Sequence, residues 1–363
     1  MQPGEKVILR RGIYRETIRP LRGGTGKDAM IAYEAYPGEE VQVSGLRLYT
    51  GEYTPNKLYG ALFQRKDVFR LSTDAYVENN YNPFAISKMP HDWVTVKDHT
   101  FANLRPFFLP RGQVMVDGEM LPQAADMNEL ARMEKGMWAE ANGRFINIKW
   151  VDDTLPQHQV ELIMAEELFA PADYGMGYIA IRGIHFHGCA NGYPVPQNGA
   201  VTAMRGHHFI VEDCRFTRVN GIALELGIQC WNSVWDKTDG HLVRRNYFAD
   251  IDICGIACFN AEDMLVEDNV LENVGLTPAE FLAENSSIKL HWCKRCLVRG
   301  NKMMNLPRGQ GIWMDYANTD CRLTENYFFN ICSNNCAFMY EVNRAHAWRI
   351  ITWWCIAPPF PMG

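Results

Sequence analysis

The stretch "HLVRRNYFADIDICGIACFN", residues 241–260, reads as an apolar strand, a turn carrying an asparagine, a second short strand, and a third strand opened by a glycine. The same pattern recurs in "FIVEDCRFTRVNGIALEL" (209–226), "CLVRGNKMMNLPRGQGIWMDY" (296–316) and "CRLTENYFFNICSNNCAFMYEV" (321–342). It recurs again in "MLVEDNVLENV" (264–274), completed by "SSIKLHW" (286–292). The turn positions are Cys214, Asn246, Asn269, Asn301 and Asn326, spaced by 32, 23, 32 and 25 residues. A near-constant unit with loops inserted in some copies is the mark of a solenoid whose rungs stack in register. Asparagines at one turn of successive rungs can form a hydrogen-bonded ladder.

The pattern therefore predicts an all-β fold, a right-handed parallel β-helix of the pectate-lyase-like kind, with no useful helical periodicity set against it. "GEKVILRRGIYRETIRPLRGGTGKDAMIAYEAYPGEEVQVSG" (4–45) and "GYIAIRGIHFHG" (177–188) belong to the same solenoid. The expected organisation is first rungs over 1–49, an inserted module over 50–172, the main β-helix over 173–343, and a tail over 344–363. The insert alternates apolar and polar residues in "RGQVMVDGEMLPQ" and "GRFINIKWVDD", which predicts a small antiparallel sandwich. "MNELARMEKGMW" reads as one short helix or turn within it. The tail, "RAHAWRIITWWCIAPPFPMG", does not continue the pattern, and a shifted reading frame would restore an asparagine turn; the chain reads as a truncated copy with weak or no activity.

Composition narrows the function. The chain has 363 residues, 47% of them hydrophobic, and a formal net charge of -6 without a Lys/Arg cluster, which argues against a nucleic-acid partner. No apolar run approaches a membrane span, and "MQPGEKVILRRGIYRE" lacks the apolar core of a secretory signal, so a cytoplasmic location is expected and no membrane partner. The 11 cysteines mostly sit in apolar runs and read as reduced core residues, and Cys293 with Cys296 is read the same way. His185 with His187, and His207 with His208, are read as structural, since no further ligand is seen to converge on either pair. No metal and no cofactor is expected.

Two apolar strands raise a sharper question, because one carries Asp315 and the other Glu341. Aligned on their opening small residues, the third strands place Ile312, Met314, Phe338 and Tyr340 toward the core. The outward positions form two columns, Ala223, Ala257, Lys289, Trp313, Met339 and Glu225, Phe259, His291, Asp315, Glu341. Stacked strands lie about 4.8 Å apart, which predicts neighbouring carboxyls on adjacent rungs. Two carboxylates at about 5 to 5.5 Å are the geometry of a retaining glycosidase.

At these motifs the chain resembles glycoside hydrolase family 120, whose members are β-xylosidases built on a β-helix with an attached β-sandwich. The motifs are "IWMDY" and "FMYEV", similar to the family's "IWLDW"-like and "FVEV"-like strands. The resemblance implies Asp315 as nucleophile and Glu341 as acid/base. It implies Lys289 and His291 in "SSIKLHW" as substrate contacts. Trp313, Trp231 and Trp235 are candidates for stacking on sugar rings, and Glu225 completes the candidate binding set. An oligosaccharide or glycoside partner follows, with homo-oligomerisation left open. Two other classes compete, a β-helix polysaccharide lyase and a non-catalytic carbohydrate-binding solenoid. A lyase would need an acidic calcium cluster or a base poised at a uronate. Glu262 with Asp263 and Glu267 with Asp268 are acidic pairs among the rungs.

Overall fold

The computed structural model describes residues 1–55, 67–88, 109–192, 198–228, 238–276 and 285–331, with the strand residues 338–340, 349–350 and 353–356. Within them the chain forms the expected parallel β-helix, three parallel sheets wound around one apolar interior. Strands Ile179–Arg182, Ile210–Glu212, Leu242–Arg244, Leu265–Glu267, Leu297–Arg299 and Arg322–Thr324 stack in the first sheet. His185–Cys189, Arg215–Val219, Tyr247–Ile251, Val270–Val274, Lys302–Leu306 and Asn326–Ile331 stack in the second. The third holds Gly199–Thr202, Ile222–Glu225, Cys254–Phe259, Ser286–His291, Gln310–Met314 and Phe338–Tyr340. Residues 6–14 and 31–44 add strands to the first two sheets. Arg349–Ile350 and Trp353–Ile356, in the stretch expected to lie outside the pattern, pair in parallel with Arg322–Leu323 and Asn326–Phe329.

Strand alternation fills the interior with like residues stacked on like. Val211, Val243, Val266 and Val298 are opposed in the first sheet, and Phe186, Phe216 and Phe248 in the second. The rings of Phe216 and Phe248 stack at 4.5 Å with an interplanar angle of 6°. Outside the first sheet, Glu34, Arg182, Glu212, Arg244, Glu267 and Arg299 alternate in sign from strand to strand. Arg182 bonds Glu34 and Glu212 at 2.6 and 2.5 Å. Opposite charges face each other across every step, so the stacking register is favoured electrostatically as well as by packing.

The corners are single left-handed residues. Gly183, Asp213, Arg245, Asp268, Gly300 and Glu325, with φ between 54 and 68°, form one column, and the residue after each leads into the second sheet. The asparagine ladder occupies that following position. Asn246, Asn269 and Asn301 each donate Nδ2–H and backbone N–H to the Oδ1 of the next asparagine, at 2.9 to 3.1 Å. Cys214 heads the ladder through its N–H, 2.9 Å from Asn246 Oδ1. Cys189, Cys214, Cys254, Cys258, Cys293, Cys296 and Cys321 are buried thiols without a disulfide among them.

Between the early rungs and the main solenoid lie two antiparallel four-stranded sheets. One contains Val68–Ser72, Gly136–Ala139 and Phe145–Lys149, the other Leu46–Leu48, Gln113–Val116 and Val160–Ile163. Their facing apolar residues, including Leu71, Met137, Ile148, Val114 and Leu162, make a core of their own. The short helix Met127–Arg132 begins with a reciprocal cap, Asp126 accepting from Glu129 N–H and Glu129 from Ala125 N–H, both at 2.8 Å. Lys88 reaches from this region to Asp252 at 2.8 Å, just before a strand of the third sheet. No described helix is long and apolar enough to cross a membrane.

Candidate active site

The third sheet places the outward side chains as its register dictates. Lys289 stands opposite Trp313, and Phe259 opposite His291. Asp315 follows Met314 at the strand's end, where its N–H donates to Leu290 O at 2.8 Å. Lys289, His291, Trp313 and Asp315 lie outside the apolar interior, yet each is between 3 and 7% exposed.

Asp315 is the centre of this group. Its Oδ2 lies 2.7 Å from His291 Nδ1 and 3.2 Å from Lys289 Nζ, and its Oδ1 accepts the Tyr316 N–H at 2.8 Å. Burial alone would push the carboxyl pKa up. The His291 hydrogen bond, the Lys289 charge and the Tyr316 N–H outweigh it and bring the value down to about 2. A nearly buried carboxylate thus stays ionised. Lys289 Nζ also sits 4.1 Å from the Trp313 ring centroid, a cation held over an aromatic face. His291 stacks on Phe259 at 4.3 Å and 13°, with Trp292 and Tyr316 around it. Among the described residues, the buried Trp313 Nε1–H has no acceptor.

A second asparagine fixes the turn beyond Asp315. Asn318 Oδ1 accepts the Cys293 N–H at 2.8 Å, while its Nδ2 donates to Leu290 O and Asp315 O at 2.9 and 2.5 Å. Sequence reasoning passed over Asn318 and over Phe259, Trp292 and Tyr316 as a box around His291. The signal for Asn318 was an asparagine three residues past the acidic position, in "DYANTD".

The structure corrects one column. Glu225, expected in line with Phe259, His291 and Asp315, pairs instead with Ala257, and so shares the column of Lys289 and Trp313. Gly221 and Gly255 are out of step: Ile222 pairs with Cys254, a slip of two residues from the expected alignment. A two-residue slip keeps Glu225 on its face, which is why its face was right and its column wrong. Glu225 is 2% exposed. Its Oε2 accepts from Thr202 Oγ1 at 2.5 Å, and its Oε1 has no partner among the described residues. Burial raises its pKa to about 8, so it is largely protonated at neutral pH.

Glu341, Trp231 and Trp235 lie outside the described residues. Lys289 and His291, expected to contact substrate, both reach Asp315. His185 Nε2 and His187 Nδ1 share Thr217 Oγ1, each at 2.7 Å. Near His207 and His208, where no further ligand was expected, the Asp239 carboxylate converges. Thirty residues of chain lie between His208 and Asp239, and only the stacking of rungs brings them together.

A family model described as a right handed beta helix region matches residues 172–346. No curated protein matches the chain. Among solved structures, the complex of XylC with xylose is similar with a TM-score of 0.77 at 17% identity, covering 93% of this chain and 58% of that one. The chain thus spans less than two thirds of that relative. The GH136 lacto-N-biosidase from Eubacterium ramulus is similar with a TM-score of 0.48 at 13% identity, covering 90% of this chain and 50% of that one. The XylC likeness is one of fold.

Proposed function

We propose that the chain is a carbohydrate-active β-helix protein, a retaining glycoside hydrolase acting on β-xylosides or short xylo-oligosaccharides, with Asp315 as nucleophile and Glu341 as acid/base. One observation carries the reading. Asp315 is nearly buried outside the core and held ionised, as an attacking carboxylate must be, by Lys289 and His291, which themselves pack against aromatic rings. Strand register supports the pairing: Met314 stands opposite Tyr340, and these residues immediately precede Asp315 and Glu341. The fold is shared with XylC, a protein whose structure was solved with xylose.

In the first step an Asp315 oxygen forms a bond to the anomeric carbon as the glycosidic C–O bond breaks, and Glu341 gives its proton to the leaving oxygen. In the second, Glu341 takes a proton from water, the water oxygen bonds to the anomeric carbon, and the Asp315 ester bond breaks.

The test is a panel of nitrophenyl glycosides, with product anomers followed by NMR on the β-xyloside. Hydrolysis with β-xylose formed first is expected. Formation of α-xylose first would replace the retaining mechanism by an inverting one, and inertness toward the whole panel would reject the hydrolase reading.

A further inference from the structure

We infer that His207, His208 and Asp239 form a site for a divalent transition-metal ion of the zinc class, which clips two successive rungs together. His207 Nδ1 and His208 Nδ1 face each other at 2.9 Å, and Asp239 Oδ1 lies 3.6 Å from His208 Nδ1. All three ligand atoms fall within 4.8 Å of one another. An ion bound by imidazole nitrogens at about 2.0 to 2.1 Å in a tetrahedron has ligand separations of about 3.3 Å, which the two shorter distances straddle. The Asp239 side chain is half exposed, so its rotation closes the third separation and leaves the fourth position to water.

Adjacent residues of an extended strand point to opposite faces, and these two do not, because His208 is left-handed, with φ 52°. It belongs to a corner column with Tyr178 and Gly240, in which Tyr178 N–H donates to His207 O and His208 N–H to Asp239 O. That column sets Asp239 one rung from His207. The imidazoles are also held from several sides. The Tyr178 ring stacks on His208 at 4.6 Å and meets His207 edge-on at 5.1 Å. A side chain at Gly177 would come within 2.2 Å of the His207 ring, and one at Gly240 within 2.7 Å of His208. Both positions are thus kept clear for the two rings.

Without metal, one of the facing Nδ1 atoms must carry the proton of their hydrogen bond. With metal, both lone pairs point at the ion and each ring keeps its proton on Nε2, so the neutral pair binds by exchanging tautomer. Two nitrogens among three donors favour zinc-like ions over calcium or magnesium. His241, the nearby buried histidine, is not a fourth ligand: its Nδ1 accepts the Phe209 N–H at 3.2 Å, which puts its proton on Nε2.

The full chain, stripped with EDTA, is titrated with ZnCl2 alone by calorimetry, and Co2+ is used to read coordination by its visible spectrum. One equivalent should bind, raising the thermal midpoint, and Asp239→Asn and His208→Gln should each weaken binding about tenfold or more. Their midpoints in EDTA report whether they fold, and Asp239→Asn, at a half-exposed carboxylate, keeps the side chain's shape. The proposal is overturned if the stripped protein takes up no Zn2+, or if the folded Asp239→Asn variant binds as tightly as the parent. A thiolate-to-Co2+ band in the near ultraviolet would assign the ion to cysteines and overturn it equally.

Discussion

At Asp315 a histidine, a lysine and a backbone N–H converge on one carboxylate, and the balance of their pull against burial sets its ionisation. Removing the lysine should show in the pH profile. Lys289→Met takes away one stabilising charge, so the Asp315 pKa rises toward the ordinary range and the acidic limb of kcat/KM moves to higher pH. An unmoved limb would mean that Lys289 does not act on the reacting carboxylate. Asp315→Asn should lower kcat on a β-xyloside by about three orders of magnitude or more, since nothing else described can replace the nucleophile. The two unusual carboxyls also bend stability in opposite directions. Asp315, depressed to about 2, contributes stability above the unfolded value near 4, which is lost as pH falls toward 2. Glu225, raised to about 8, contributes stability at low pH that is lost as pH climbs from about 4 through 8. Glu225→Gln mimics the protonated acid, so it should flatten the fall in thermal midpoint between pH 5 and pH 8. A variant that keeps the parent's slope would show that Glu225 is not the group responsible.

The elements were legible wherever a period of two or a repeated asparagine carried the information. The ladder through Asn246, Asn269, Asn301 and Asn326 stands where the repeats put it, because a strand pattern fixes which residue follows each corner. The column through Glu225 was misaligned because opening glycines are weak register marks when loops of different length precede them, whereas the inward Ile and Leu positions bind the pairing. The left-handed corners were illegible: Arg245 and Glu325 adopt a conformation that their residue types disfavour, and His208 shares it, imposed by the stacked rungs on either side. The convergence of Asp239 on His207 and His208 is a consequence of those corners and was hidden with them. A ladder asparagine therefore carries weight beyond its own rung. Asn269→Ala removes the acceptor of the Asn246 N–H and of one Asn246 Nδ2–H, together with the Nδ2–H bonds to Val243 O and Asn301 Oδ1, in a buried turn, and should cost about 3 kcal/mol in a urea melt. Lys302→Ala, on the exposed outer surface, should cost about 0.5 kcal/mol or less. Equal losses would mean that the ladder is an ornament of the register and not one of its causes.

For the whole molecule, two apolar cores matter more than any single site. One runs the length of the solenoid, from Leu9 to Phe328; the other lies between the two antiparallel sheets and includes Leu71, Met137 and Ile148. Each rung of the solenoid touches the rungs above and below it, so a defect should spread along the stack by nearest-neighbour coupling. Phe248 is a suitable place to make one, being fully buried and stacked on Phe216. Phe248→Ala should cost about 3 to 5 kcal/mol, since a stacked aromatic column cannot collapse around the hole without moving the strands that hold it in register. In hydrogen exchange followed by mass spectrometry, protection should fall most in the strands of Phe248, Phe216 and Leu271, and less with each rung further away. The strands carrying Leu71 and Ile148 should keep their parent protection, because their core does not depend on this column. A uniform loss in both cores would show that the solenoid and the sandwich unfold as one cooperative unit, and would refute the view of the sandwich as a separately stabilised module.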